Sequence, residues 1–451
     1  MTGERLLELG ARATRAALEA GATAAEAFVS EHRRREAGYE ANDLKLAKAD
    51  SELTLGIRVL CGRSLGFAAT NEPAELAATA REAVAIARAS PPDAANDLPE
   101  PAQSGEDATG PDGLFDPAIA GLGADGLTRL AARIADEVRA LDSRVTIDRI
   151  RVSLTEGTDA ICSSRGITAM AAFTYLSGFV MGMAREGVDV GSVAYDGVSA
   201  SNCAAVESEL GPVIRRFVDR AIGALRPRRG RSFRGKVLLL PDAVGEVLAD
   251  PLLEALAADA VRHGRSPLGP KLGRPIANPA FHLRDPGTRL GFFAVRPFDR
   301  EGTPRRPLDL IAAGTLASLL YDAYEARRAG RRSTGHAQGS AQVPPRLAAC
   351  LSEVLPGDRL EADIEAAQDL ALVVPRFSGR VEMATGEFSG VVKGGFLLQR
   401  GARLPVTETM IAGNLYDALN SVVAVSSDRQ QIFGSALYPA VLVDGVAVTA
   451  G

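Results

Sequence analysis

The segment Lys236–Val261, KVLLLPDAVGEVLADPLLEALAADAV, sets the tightest limit on how this chain folds. Val237 to Leu240 are apolar without alternation, as in a strand buried on both faces. Pro241 has no amide hydrogen and closes the run. Val244, Leu248, Leu252, Leu253 and Leu256 then recur every three to four residues and share one helix face. Asp250-Pro251 has the form of an N-cap followed by Pro at the first helical position, so the helix is expected to restart there. The segment reads as a buried strand feeding a core helix.

A chain of 451 residues has room for two or three domains and an ample core. Its net charge of −5 gives no overall pull toward nucleic acid or anionic membrane. Cys61, Cys162, Cys203 and Cys350 are scattered without a CxxC pair, which fits reduced thiols better than a disulfide framework or zinc knuckle. The N-terminus contains acidic residues and has helical periodicity, unlike a signal peptide. The longest nearly uncharged apolar stretch, Ile167–Met183, is too short and too polar to span a bilayer. The expected location is cytoplasmic.

The elements predict an α+β protein: an N-terminal mixed half with an antiparallel sheet, and a β-rich C-terminal half. Helix 4–20, a strand beginning at 25–31, a strand pattern continued by 44–48 and 53–60, a further short strand ending near Thr70, and helix 73–89 give an αβββα order for segment 1–90. Residues 91–121 read as a linker or surface loop rich in Pro, Asp, Gly and Ser. Segment 122–234 opens with helix 126–141, continues with strands at 145–156 and about 167–199, and closes with helix 207–225. Phe292–Val295 reads as a short strand within segment 235–451. The basic run Arg226, Arg228, Arg229, Arg231, Arg234 lacks interleaved aromatics and reads as a solvated connection.

Five blocks resemble the TldD/PmbA family of peptidase-like proteins: Gly56-Ile57-Arg58-Val59, Gly66 to Asn71, Asp299-Arg300-Glu301-Gly302, Ser333-Thr334-Gly335-His336-Ala337, and Pro405 to Leu415. With the central strand and helix they span essentially the full length. The metal-bearing branch carries His-Glu-x-x-x-His on the helix after that strand. The corresponding region here, around Leu248 to Glu254, has no histidine and offers only Asp250 and Glu254, read as a cap and a solvated face. The resemblance therefore implies the PmbA/TldE-like branch: no cofactor in this chain, and zinc expected in a TldD-like HExxxH metallopeptidase subunit that partners it. It also implies a peptide substrate, unfolded or flexible, in a shared cavity. The stretch Arg376 to Met383 is more charged than the family's Gly-rich, aromatic-bearing counterpart.

None of the four histidines is paired at helical metal spacing. His32 reads as an exposed strand end, His263 as a helix C-terminus, His282 as a loop residue. There is no GxSxG elbow for a nucleophilic serine. Cys350 reads as a buried strand cysteine. Two alternatives to the partner-subunit reading remain: a homodimeric hydrolase with a divergent site, using His336, Glu408 and Asp299 as acid–base groups, or a non-enzymatic interaction protein. Substrate-binding residues are not readable from the sequence.

Overall fold

The computed structural model describes residues 3–40, 43–101, 112–293 and 295–451. Helix α1 (Gly3–Glu19) buries Leu6, Leu9, Ala13 and Ala17 on one face. Strands β1 (Ala24–Glu40), β2 (Asp43–Cys61) and β3 (Ser64–Thr70) follow as an antiparallel meander, then α2 (Leu76–Ala89). This is the αβββα order expected from the sequence. A second unit repeats it: α3 (Ala124–Leu141), β4 (Val145–Ser163), β5 (Thr168–Glu186), β6 (Ala194–Ala200) and α4 (Cys203–Gly223). Helix α4 begins earlier than its apolar period suggests, because Asn202 caps it by accepting from the Ala205 amide at 2.8 Å.

The two units share one sheet. β1 pairs antiparallel with β4, from Glu26 opposite Ser163 to Glu40 opposite Arg149, in the order β3-β2-β1-β4-β5-β6. Each unit's first helix lies across both β1 and β4. Strand alternation divides β1 between two environments. Ala25, Ala27, Val29 and Ala37 face the helices. Glu26, Phe28, Ser30 and His32 face the C-terminal half.

In the C-terminal half β7 (Phe233–Leu239) pairs in parallel with β8 (Leu370–Val374) and antiparallel with β9 (Ala436–Ala450). Val237, Leu238 and Leu239 are at most 1% exposed, as the unbroken apolar run requires. The helical segment after it does not restart at Asp250. An α turn (Pro241–Val244), a π turn (Gly245–Ala249) and an α turn (Asp250–Ala255) run on without a break, and Asp250 has helical φ −66° and ψ −47°. Its amide bonds to the Gly245 carbonyl, closing the wider turn. A regular α-helix would drive the Pro251 ring into the Val247 carbonyl; the wider turn relieves that clash. Two further expectations are corrected. Phe292, Phe293 and Val295 lie outside any strand, and the Phe293 amide bonds to the Gly434 carbonyl at 2.9 Å. His32 lies inside a strand that continues to Glu40.

The halves are fastened by a buried ion network. Arg58 Nη2 donates to Glu26 and Nη1 to Glu301, each at 2.6 Å. Arg300 Nη1 donates to Glu26 at 3.2 Å, and Glu301 Oε2 accepts the Ala323 amide at 2.9 Å. All four charged residues are at most 6% exposed. Two of the sequence blocks thus meet across the junction. The stretch after α2 is also tied down: Tyr324 donates to Asp93 and Arg327 to the Ala95 carbonyl, both at 2.8 Å. Among the described residues no helix is long and apolar enough to cross a membrane.

Candidate functional site

A groove of about 530 Å³ runs beside the core helix. One wall carries Asp250 and Glu254, one helical turn apart; the other is the extended segment Arg346–Ser352. The Ala348 amide bonds to the His336 carbonyl at 3.1 Å and the Ser352 amide to the Ser435 carbonyl at 3.2 Å. Between these anchors, Ala349 and Leu351 make no backbone–backbone hydrogen bond among the described residues. Residues two apart in an extended chain present their amide and carbonyl groups along the same edge. Ala349 is half-buried and thus presents unpaired main-chain groups beside the groove, while Leu351 is 1% exposed and packs into the core.

Carboxylates recur every fourth residue along the helix: Asp242, Glu246, Asp250 and Glu254. Burial pushes Glu246 up to about 7, helped by Asp242 and Asp250 and opposed by the Phe377 amide, which donates to it. Desolvation also raises Asp250, with Glu254 adding to the effect, and raises Asp242 against the pull of Arg220. Behind the helix the buried Tyr438 hydroxyl meets Ser352 Oγ at 2.5 Å and also bonds to Asp250. Burial and the Asp250 charge raise the phenol. Asp250 is thus an exposed residue of the groove wall within a continuous helix and not the helix cap expected from its position before Pro251.

The chemistry of these donors does not suit zinc. A catalytic zinc takes about three protein ligands, usually with imidazole among them. The segment Pro241–Leu256 contains no histidine in any frame. Among the described residues no three His, Cys, Asp or Glu side chains converge as a metal-ligating group.

Behind Arg346–Ser352 lies a second cavity of about 250 Å³, between the outer face of the N-terminal sheet and the C-terminal half. Cys350 lines both spaces. It sits half-buried in an extended loop, not in a strand. On the sheet side, Asp159 Oδ1 takes the Ser30 hydroxyl at 2.6 Å and meets His32 Nε2 at 3.0 Å; Oδ2 accepts from Arg296 at 3.1 Å. Burial alone would raise Asp159, but His32, Arg296 and Ser30 outweigh it and hold the carboxyl down to about 2. Ser30 and Asp159 both meet the same ring nitrogen, so this is not the relay that activates a serine. The sequence signal for this cluster was Ser30 and His32 two apart, at the end of an alternation whose other face starts with Ala25, Ala27 and Val29.

The structure brings His336 and Asp299 together and leaves Glu408 apart. His336 is buried, with Nδ1 on Thr334 at 2.8 Å and Nε2 on Asp285 at 3.1 Å. Asp285 also accepts from Arg305 at 2.8 Å. Asp299 Oδ1 accepts the Glu301 and Thr303 amides at 2.9 Å, and Oδ2 accepts the Ala337 amide at 3.0 Å. Burial, then the Glu301 charge, raises Asp299 to about 7. Both residues brace loops. Glu408 occupies a left-handed turn (φ 49°) whose carbonyl accepts the Gly451 amide at 2.8 Å. Of the remaining histidines, His263 closes a short helix and His282 pairs with Asp309 at 2.8 Å.

This fold, with its central strand, buried helix and flanking groove, defines a metallopeptidase-related architecture. Residues 232–450 match the PmbA/TldA metallopeptidase C-terminal domain and residues 25–87 match the PmbA/TldA metallopeptidase domain 1. The chain belongs to the TldD/PmbA/TldE family. It is 29% identical over 231 residues to the metalloprotease PmbA of Escherichia coli O157:H7, covering 50% of this chain and 49% of that protein. It is 23% identical over 308 residues to an uncharacterized protein of Methanocaldococcus jannaschii, covering 68% of this chain and 70% of the other. The chain thus aligns with about half the length of that PmbA. The crystal structure of TldE from Thermococcus kodakarensis shares the fold, with a TM-score of 0.88 over 98% of this chain and all of that one, at 20% identity.

Proposed function

We propose that this chain is the non-metal-binding subunit of a two-subunit, TldD/TldE-type peptidase, holding an unfolded or flexible peptide in a cavity shared with a zinc-bearing partner. The observation that carries the reading is the groove. Its extended wall, with unpaired main-chain groups at the half-buried Ala349, suits an added peptide strand, while the helix beside it supplies carboxylates but no imidazole. Strand addition binds through main-chain groups and makes few demands on sequence, as a peptidase acting on unfolded chains requires. In the active complex the partner's zinc would polarise the scissile carbonyl and activate water. This chain's part is to bind and align the peptide, and its activity is cytoplasmic.

The test is recovery of the tagged chain from its own host, with metal analysis and a peptidase assay. The expected result is a near-equimolar partner carrying His-Glu-x-x-x-His, zinc in that partner, and cleavage of unfolded peptides only by the pair. Stoichiometric zinc in the isolated chain, or peptide cleavage by it alone, would overturn the proposal.

A further inference from the structure

The cavity behind Cys350 carries chemistry of its own. At about 250 Å³ it is smaller than the roughly 300–1,000 Å³ typical of sites for drug-sized ligands, so it suits one side-chain-sized group. Phe28, Tyr175, Phe293 and Phe298 give aromatic faces to a lining that is otherwise mostly polar and charged. Two arginines on its lining have donors to spare. Arg296 lies 3.4 Å from the Phe173 ring centre and donates Nε to Asp159 and Nη1 to the Val295 carbonyl. Its Nη2 has no hydrogen-bond partner among the described residues. Arg300 is 4% exposed and donates Nε to the Ser340 carbonyl at 3.3 Å and Nη1 to Glu26 at 3.2 Å. Its Nη2 is buried and unpartnered.

The nearby acids do not absorb these donors. Both Asp159 oxygens are engaged, and Glu26 is shared between Arg58 and Arg300. Burial, with Arg58 adding to it, holds Arg300 down to about 10, so its charge is under-compensated. A buried N–H without an acceptor is unfavourable, and an incoming oxyanion removes that penalty. Guanidinium groups present planar donors that match a carboxylate. The His32 side chain, 44% exposed, marks the way in.

We propose that this cavity recognises a carboxylate carried on an aromatic body, with the ring among Phe28, Tyr175 and Phe293 and the carboxylate on Arg296 and Arg300. The carboxylate can come from a peptide ending in Phe or Tyr or from a free aromatic acid. The proposal goes beyond strand addition in the groove and stands independently of it.

Isothermal titration of the full chain tests it with N-acetyl-L-phenylalanine, N-acetyl-L-phenylalaninamide and a short peptide ending in phenylalanine. The acid is expected to bind at least about tenfold tighter than the amide, the scale of one charge-assisted hydrogen bond. Arg296→Gln should abolish that preference, Arg296→Lys should restore part of it, and Phe293→Leu should weaken acid and amide alike. Tighter binding of the peptide would identify a chain terminus as the source; equal binding would identify the free acid. The proposal is overturned if acid and amide bind alike, if neither binds at millimolar concentration, or if a folded Arg296→Gln protein keeps the preference. Should circular dichroism show Arg296→Gln to be unfolded, the acid–amide comparison on the parent and Phe293→Leu decide.

Discussion

Replacing Arg58 with methionine would remove the central cation of the junction while keeping most of its volume. Two contacts at 2.6 Å would be lost. Their effects differ. Glu26 keeps Arg300 at 3.2 Å, whereas Glu301 keeps only the Ala323 amide at 2.9 Å, at 2% exposure. Removing one partner of a buried pair costs about 3–5 kcal/mol, because the remaining charge is stranded away from water. Most of that loss should arise at Glu301. Adding Glu301→Gln should therefore return about 1–3 kcal/mol, the usual range for residues in direct contact. Urea unfolding followed by far-ultraviolet circular dichroism suits the measurement, since the chain has no tryptophan. A loss below about 1 kcal/mol, the scale of a surface ion pair, or no recovery in the double variant, would refute the reasoning.

Glu246→Gln should change stability in a pH-dependent way. The carboxyl is raised from 4.5 to about 7, so its contribution is full below the unfolded value and is lost as pH climbs through 7; the variant should gain on the parent across that window. A difference that stays flat with pH would exclude burial as the cause. Leu248→Ala, at a fully buried core position, should cost about 2–5 kcal/mol in urea unfolding. Tyr438→Phe should cost about 1–3 kcal/mol by leaving the buried Ser352 hydroxyl short of a partner, and its unfolding midpoint should fall accordingly. Gly66→Ala should lower the melting temperature, because a Cβ there would stand 2.1 Å from the Ala83 carbonyl oxygen of α2.

The sequence was most legible where local patterns and final environment agree. Val237 to Leu239 are buried on both sides, as an unbroken apolar run implies, and the helices of the first unit follow their apolar period. It was less legible where distant parts meet. Arg58 and Glu301 lie 243 residues apart, so their blocks were visible but their pairing was not. Asp250-Pro251 has the composition of a helix start, yet the same pair is accommodated inside a continuous helix by a π turn. Phe292 and Phe293 have strand-like composition, but Phe292 packs with Leu114 and Leu351 and Phe293 meets the Tyr175 ring at a tilt of 56°. The half-buried Cys350 and the unpaired main-chain groups of Ala349 beside it depend on which neighbours fail to pair, a property no local pattern encodes.

The long seam between β1 and β4 also bears on how this protein is made. β1 can pair with β2 as soon as both have left the ribosome, but its other edge waits for β4. About a hundred residues separate the end of β2 from the end of β4, a delay of roughly 5–20 s at ordinary rates of synthesis. Through that interval a 17-residue strand edge is exposed to any other nascent chain. The run His32-Arg33-Arg34-Arg35-Glu36 lies in the middle of that edge, where charge discourages wrong pairing. These arginines then serve the emerging chain as much as the finished one, guarding the seam until its proper strand arrives.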